Sequence, residues 1–184
     1  VAGSLPAALS ELGCDVRVVL PYYGDLTGFA SPPRVIQRAY VRGHHIEVME
    51  ATAAYGQRVW LVACPEFFGR GGNPYLGPDG RDWPDNAERF TLFADTIAWL
   101  ATESVEWGYN PDIVHLNDWQ TALAAALLRR RPGAPPSVFS IHNLSYQGVF
   151  DRAAFVRLRR PADWWARDAL EFHGSRSFIK AGLV

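Results

Sequence analysis

Three apolar runs of the chain end in groups of polar and aromatic side chains that could bind a ligand or support catalysis. In chain order these groups are Tyr22-Tyr23-Gly24-Asp25, then His115-Leu116-Asn117-Asp118-Trp119-Gln120, then His142-Asn143 followed by Tyr146-Gln147-Gly148. In an open parallel sheet, ligands bind beyond the carboxyl ends of the strands, because loops and helix N-termini converge there. An imidazole beside an amide offers several directional hydrogen bonds in a small space. The third group is therefore the strongest candidate for a functional site.

Structural explanations stay open for the second group. His115 lies within an apolar run, which favours a hydrogen-bonded histidine of the core. Asp118 stands where the next helix should begin, so N-capping alone would explain it. Trp119 would equally suit packing against the edge of the sheet.

Several common kinds of site are not supported by the sequence. No Gly-x-Gly-x-x-Gly follows a strand, which counts against dinucleotide binding, and no Gly-x-Ser-x-Gly nucleophile elbow occurs. No metal site is predicted: His44 and His45 are adjacent, so on a strand they point to opposite faces. Asp25 and Asp118 cannot be assigned as the facing carboxylates of a glycoside hydrolase.

The elements predicted in the first third of the chain should position the first polar group, Tyr22-Tyr23-Gly24-Asp25. Apolar residues at helical spacing over residues 5–12, then Gly13, predict a helix with a glycine at its end. Residues 15–21 then read as a buried strand, the αβ step of a parallel sheet. Three strand-like runs between residues 34 and 64 predict a small antiparallel meander.

Residues 67–86 predict a long functional loop, because they are rich in Gly, Pro, Asp and Asn and also hold four aromatic residues. Asp85, with Glu88 three residues later, predicts a capping box at the start of a helix that should end near Gly108. The second half then reads helix–strand–helix–strand, a doubly wound α/β pattern.

Composition narrows the class of protein. The 184 residues are 48% hydrophobic and 20% charged, with a net charge of −1, which gives no electrostatic reason to expect nucleic acid or an anionic membrane as partner. Seven tryptophans suit surfaces that stack on sugar rings. Cys14 and Cys64 are predicted to be buried free thiols, which favours a reducing, cytoplasmic setting without a signal peptide.

Five segments together resemble the N-terminal domain of bacterial glycogen synthases and plant starch synthases. They follow the family's order and spacing over almost the whole chain: LPAALSELGCDVRVVLPYYG, FFGRGGNPYLGPDGRDWPDNAERF, VHLNDWQTALAAALL, SIHNLSYQGVF and FHGSRSFIKAGLV. The resemblance implies one half of a GT-B fold, with a Rossmann-like, doubly wound, mostly parallel sheet and a small antiparallel β-meander. Residues 1–184 would be a truncated N-terminal, acceptor-side domain, with the C-terminal nucleotide-sugar domain absent.

The implied activity is transfer of glucose from ADP-glucose to the non-reducing end of an α-1,4-glucan, glycogen or starch, with retention of configuration. The nucleotide sugar is a substrate, and neither a cofactor nor a metal is expected. The protein would be cytoplasmic in a bacterium or plastidial in a plant. Both ends of the chain fall within helices, and the family's Lys-x-Gly-Gly-Leu loop would precede Val1, so we expect the fragment alone to be inactive.

The resemblance also implies roles for individual residues. The backbone carbonyl of His142 would face the anomeric centre while its side chain contacts the sugar, and Asn117 stands where many relatives have His. The catalytic residues would be His142 and Asp118, and the substrate-binding residues Asn143, Trp119, Tyr75, Asn73, Tyr146 and Gln147.

Two other interpretations of the chain stay open. One is a glucan-binding module without catalysis. The other is a GT-B enzyme of different sugar specificity, similar to sucrose synthase or glucan phosphorylase.

Overall fold

The computed structural model describes residues 3–24, 27–53, 56–166 and 169–184, except for the side chain of Trp165. Within it the chain forms two compact units, Val1–Asp82 and Trp83–Val184.

The first unit is a four-stranded mixed sheet with two short helices. Its elements are α1 (Leu5–Glu11), β1 (Val18–Pro21), β2 (Arg34–Val41), β3 (His44–Thr52), β4 (Arg58–Ala63) and α2 (Pro65–Phe68). The strand order is β1-β4-β3-β2; β1 runs parallel to β4, and the other two pairs are antiparallel. The predicted helix–strand step and the predicted meander are both present, but β1 is shorter than predicted and, contrary to the prediction, none of its residues is buried.

A tight turn sets the register of the meander. Arg42 and Gly43 both have positive φ, +54° and +82°, and they alone separate β2 from β3. Two consecutive positive-φ residues are the requirement of a two-residue type I′ hairpin, whose twist matches that of the strands. The sheet then buries Ala51, Val59 and Leu61 in one cluster.

The prediction of two buried thiols is right for Cys64 and wrong for Cys14, which is exposed. Cys14 follows α1, which buries none of its residues, and the chain packs against a buried cluster only further on, at Val18. Cys64 lies 3.7 Å from Oε1 of Glu66. Burial first, and then the negative charge of Glu66, raise the pKa of the Cys64 thiol to about 11.

The second unit combines helices with a parallel strand pair and a small antiparallel sheet. Its elements are α3 (Asn86–Glu103), a 3₁₀ turn (Ser104–Trp107), β5 (Val114–Asn117), α4 (Asp118–Arg129), β6 (Ser137–Ser140), β7 (Val149–Phe150), α5 (Arg152–Arg157), a second 3₁₀ turn (Ala162–Trp165), β8 (Glu171–Phe172), β9 (Ser175–Ser177) and α6 (Phe178–Leu183). β5 and β6 are parallel neighbours, and the other three strands are ordered β7-β9-β8.

Helix α4 lies at the centre of this unit. It packs against α3 and α6 and against both parallel strands, β5 and β6. Its many alanines, all buried, allow the neighbouring elements to approach closely. Gly182 of α6 serves the same purpose on β6, because a Cβ atom there would lie 2.6 Å from Cε1 of Phe139.

The boundaries of α3 confirm one prediction and correct another. The helix continues into the first 3₁₀ turn and is closed by Gly108 at φ +80°, as predicted. The capping box is wrong, because the side chain of Asp85 makes no capping hydrogen bond to α3. Glu88 instead accepts a hydrogen bond from Nε of Arg157 in α5, a partner that local sequence cannot reveal.

The predicted α/β class is confirmed by the parallel pairs β1–β4 and β5–β6 together with the antiparallel strands of the meander. Within the described residues, no helix has the length and apolar character needed to cross a membrane.

Candidate active site

The second and third polar groups meet in the structure because their strands are parallel neighbours. β5 and β6 pair in a register that sets Asn117 opposite Ser140. Both strands therefore end at the same edge, and the residues that follow them, Asp118 and His142, come within hydrogen-bonding distance. Two of the three polar groups predicted at strand ends are therefore adjacent in the structure.

His142 is held at two points by the end of β5. Its backbone N–H donates to Oδ1 of Asp118 at 2.7 Å, and its ring Nε2 lies 2.9 Å from Oδ1 of Asn117. An amide oxygen can only accept, so the contact is a hydrogen bond in the tautomer that carries its proton on Nε2. A neutral ring then presents Nδ1 as its acceptor. The residue is otherwise exposed.

Asp118 has an unusual backbone conformation at the start of α4. Its φ of +56° lies in the left-handed region, which costs a residue with a side chain roughly 1 kcal/mol. Among the described residues no side chain caps α4, so the N-cap interpretation of Asp118 is wrong. Its carboxylate binds the N–H of His142 instead. Strained residues of this kind cluster at functional sites.

His115 and Ser140 form a second contact between the same strands. His115 Nε2 lies 2.8 Å from Ser140 Oγ. The predicted hydrogen bond of His115 is therefore confirmed, but its predicted place in the core is wrong, because the residue is exposed. Since His115 and Asn117 are two residues apart on a strand, both side chains lie on one face of it.

Trp119, which follows Asp118 in α4, packs in an aromatic cluster. Its ring is 9% exposed and stands 4.7 Å from Phe90, 5.8 Å from Phe150 and 6.2 Å from Phe178, between ring centroids. Gly148 contacts the same ring so closely that a Cβ atom would lie 2.4 Å from Cε3. Packing therefore explains Trp119 structurally, and its contact with a sugar stays a prediction.

The segment after His142 turns sharply. Asn143 Oδ1 accepts the N–H of Ser145 at 2.9 Å, and its carbonyl accepts the N–H of Tyr146 at 3.2 Å. Tyr146 is 68% exposed. The carbonyl of Gln147 accepts the N–H of Ile179, which fastens the segment to the start of α6.

Asn73 and Tyr75 belong to the first unit, where they shape the long loop. Asn73 Oδ1 accepts the backbone N–H groups of Tyr75 and Leu76, each at 2.8 Å. Gly72, at φ +90°, lies so close that a Cβ atom would stand 2.3 Å from the Leu76 carbonyl oxygen. The loop is therefore built from defined turns, and it exposes Tyr75.

The first polar group is also in this unit. Tyr22 donates its N–H to the carbonyl of Val62 at 2.9 Å, and Asp25 lies outside the described residues. Throughout the described ranges, no cluster of three or more His, Cys, Asp or Glu side chains could hold a metal ion.

Asn117 is the residue that sequence reasoning missed. It belongs to the second polar group and stands where many relatives have His, but the sequence indicates no role for it, yet its amide contacts the ring of His142. A signal was present: Asn117 ends its strand directly before Asp118, as Ser140 ends its own shortly before His142. Aligning the two strand ends would have brought the amide close to the ring.

Sequence comparison matches the chain to the starch synthase catalytic domain and to glycogen synthases. The family model for the starch synthase catalytic domain matches residues 1–184. Glycogen synthase 1 of Methylococcus capsulatus is 47% identical over 186 residues, and glycogen synthase of Thioalkalivibrio sulfidiphilus is 45% identical over 188. Both alignments take in 100% of this chain but only 37% and 39% of the relative, so the chain spans less than two-fifths of their length.

Structural comparison agrees on the fold. The catalytic domain of starch synthase IV from Arabidopsis thaliana, bound to ADP and acarbose, superposes with a TM-score of 0.80 and 22% sequence identity. The match covers 100% of this chain and 38% of that one. Because the family model and the curated relatives cover the chain from end to end, it belongs to the starch synthase catalytic domain family, the family of the glycogen synthases.

Proposed function

We propose that the chain is the acceptor-side domain of a retaining glucosyltransferase, which extends an α-1,4-glucan with glucose from ADP-glucose. Residues 1–184 would form the N-terminal domain, and a further domain of the full-length protein would bind most of the nucleotide sugar. The observation that carries this proposal is His142, anchored by its backbone and its ring at the junction of two parallel strands. The names of the relatives, glycogen synthases, support it, as does the starch synthase bound to ADP and acarbose.

The anchoring of His142 suits a transition state with positive charge at the anomeric carbon. Asp118 and Asn117 fix the residue on its N-terminal side and at its ring, and the turn at Asn143 fixes the chain just beyond it. The carbonyl of His142 lies between these fixed points. A carbonyl dipole held in place before the reaction stabilises developing positive charge without the cost of reorganisation.

The neighbouring polar atoms supply contacts to glucose hydroxyls. A carboxylate accepts several hydrogen bonds, so Asp118 can bind a hydroxyl through Oδ2 while Oδ1 holds His142. Asn143 uses its side-chain oxygen in the turn, so its NH₂ group is the part that can donate to a sugar oxygen.

The glucan acceptor is proposed to contact exposed aromatic rings. Tyr146 and Tyr75 are both exposed, and an aromatic face is apolar enough to stack on a sugar ring. Asn73, Trp119 and Gln147 complete the proposed substrate-binding set. The nearly buried ring of Trp119 would contribute only an edge.

His142→Ala in the full-length protein tests the proposal. The initial rate of glucose transfer from ADP-glucose to a maltooligosaccharide would be measured across a range of donor concentrations. If the side chain acts mainly in the transition state, kcat should fall by about 10- to 100-fold and KM should change much less. His115→Ala is the matched control: a nearby exposed histidine is removed, and kcat should stay close to that of the wild type.

Other outcomes would point elsewhere. A raised KM at unchanged kcat would make His142 a ground-state binding residue. A lower unfolding temperature at unchanged kcat would make it part of the scaffold. A wild-type protein that binds maltooligosaccharides without transferring glucose would be a glucan-binding module, and the proposal would be wrong.

A further inference from the structure

Asn117 lies at the end of β5, half-buried, with its side chain against the ring of His142. Its backbone is held as well, because the hydroxyl of Thr121 donates to its carbonyl at 2.8 Å. The side-chain amide of Asn117 therefore extends from a hydrogen-bonded backbone at the junction between β5 and α4. Its Oδ1 is 2.9 Å from Nε2 of the ring, a normal hydrogen-bonding distance.

We propose that Asn117 is a positioning residue for the transfer site: it holds the His142 ring through Nε2–H, so that Nδ1 is the ring atom that meets the sugar. The assignment of His142 to a sugar site rests on the proposed function. The contact between the two side chains does not.

Two adjacent residues divide the task of holding His142. Asp118 binds the backbone N–H and Asn117 binds the ring, so the side chain is fixed relative to the main chain. An exposed imidazole without the second contact would be free to sample more of its staggered rotamers. Small displacements of a positioned group can lower the rate of a reaction by up to about 100-fold.

The amide also decides which hydrogen bond the ring can offer. A neutral imidazole has one donor and one acceptor, and the partner of one nitrogen fixes the role of the other. With Nε2–H committed to Asn117, Nδ1 accepts, and the matching ligand group is a donor such as a glucose hydroxyl. A carboxylate at the same position would orient the ring too, but would add a charge that favours its protonated form.

The same strands provide a control. His115 and Ser140 form a comparable contact of 2.8 Å, and neither residue bonds to His142. Ser140→Ala would remove a hydrogen bond between the same two strands while leaving the Asn117 contact in place. Any effect specific to Asn117 should therefore be absent from this variant.

The contact can be observed directly by NMR on the full-length protein labelled with ¹⁵N-histidine. A hydrogen bond slows the exchange of an imidazole proton with water, so spectra are recorded at low temperature, and His142→Gln identifies the signal by its loss. The wild type and Ser140→Ala should show a protected proton on Nε2 of His142, and Asn117→Ala should lose it. In the same Asn117→Ala protein kcat should fall by about 10- to 100-fold while KM changes by less than about threefold.

Asn117→Asp keeps an accepting oxygen in nearly the same place, so it should retain the protected Nε2 proton even if the alanine variant folds poorly. A protected proton that persists in Asn117→Ala would overturn the proposal, as would its loss from Asn117→Asp or a wild-type ring protonated only on Nδ1. The expected NMR pattern in a protein that transfers no glucose would contradict the proposed function and leave the contact supported.

Discussion

His142 is held by two residues at the junction of β5 and α4, Asn117 and Asp118, and this limits what the sequence alone could predict. The strand ends were recognisable because polar residues follow apolar runs, and this pattern identified His142 and Asp118. The contact of Asn117 with the His142 ring depends on the register of β5 against β6, which the periodicity of apolar residues does not encode. Asp adopts the left-handed region more often than most residues, but that tendency alone does not predict the positive φ of Asp118.

Gly148 packs against the ring of Trp119, next to the candidate site. Gly148→Ala should lower the free energy of unfolding by about 2 to 4 kcal/mol. The residue is at φ +60°, and its missing Cβ would stand 2.4 Å from the Trp119 ring. The energetic costs of overpacking and of backbone strain should therefore add. Urea denaturation followed by tryptophan fluorescence would measure the loss.

Gly133→Ala is the control for the strain alone. Gly133 is at φ +75° with open space around its Cβ position, so the substitution should cost only about 1 kcal/mol. Equal losses in the two variants would show that the contact with Trp119 contributes nothing.

Cys64 should make stability depend on pH in the alkaline range. Its pKa is raised from 9.0 to about 11 in the folded protein. Well below pH 9 the thiol is protonated in both states, so its full contribution to the free energy of unfolding is present. As the pH rises above 9, the unfolded state loses the proton first, and the free energy of unfolding therefore falls towards pH 11. The free energy of unfolding should fall by on the order of 1 kcal/mol across this range.

Cys64→Ser should remove that part of the pH dependence. In the native protein, iodoacetamide near neutral pH should modify the exposed Cys14 faster than Cys64, as read by peptide mass spectrometry. Modification of both thiols at equal rates would contradict the burial of Cys64.

At the scale of elements, ion pairs attach the segment after α5 to the helices beside it. Asp95 of α3 binds Arg160 through both oxygens, with Nη1 3.1 Å from Oδ1. The guanidinium groups of Arg160 and Arg130 lie over the ring of Trp164, at 5.1 and 4.8 Å from its centroid. The sequence predicted the helices and strands from their periodicity. These attachments were not predictable, because they join residues far apart in the chain.

Asp95→Ala should therefore destabilise the protein strongly, by about 3 to 5 kcal/mol, because it leaves the charge of Arg160 buried without its partner. The two side chains are only 13% and 8% exposed. Thermal unfolding would measure the effect.

Asp163→Ala provides the comparison, since it breaks the pair between Asp163 and Arg130, whose side chains are 61% and 42% exposed. Its cost should be no more than about 1 kcal/mol. Similar losses in both variants would show that burial does not govern the strength of these pairs.

At the scale of the whole molecule, family and fold could be predicted because the motifs extend over almost the entire chain, and both are confirmed. The domain assignment stays a proposal, as do the donor and the acceptor. The chain spans 37% and 39% of the glycogen synthases of Methylococcus capsulatus and Thioalkalivibrio sulfidiphilus, so the proposed reaction concerns the full-length protein.

The most direct test is a glucosyl-transfer assay of the full-length protein beside the 184-residue chain alone. Each would receive a maltooligosaccharide with ADP-glucose or with UDP-glucose, and the products would be analysed for length and linkage. We predict that the full-length protein adds α-1,4-linked glucose to the non-reducing end, faster from ADP-glucose, and that the isolated chain adds none. Absence of transfer by the full-length protein from either donor would contradict the proposed function, and turnover by the isolated chain would contradict its dependence on a second domain.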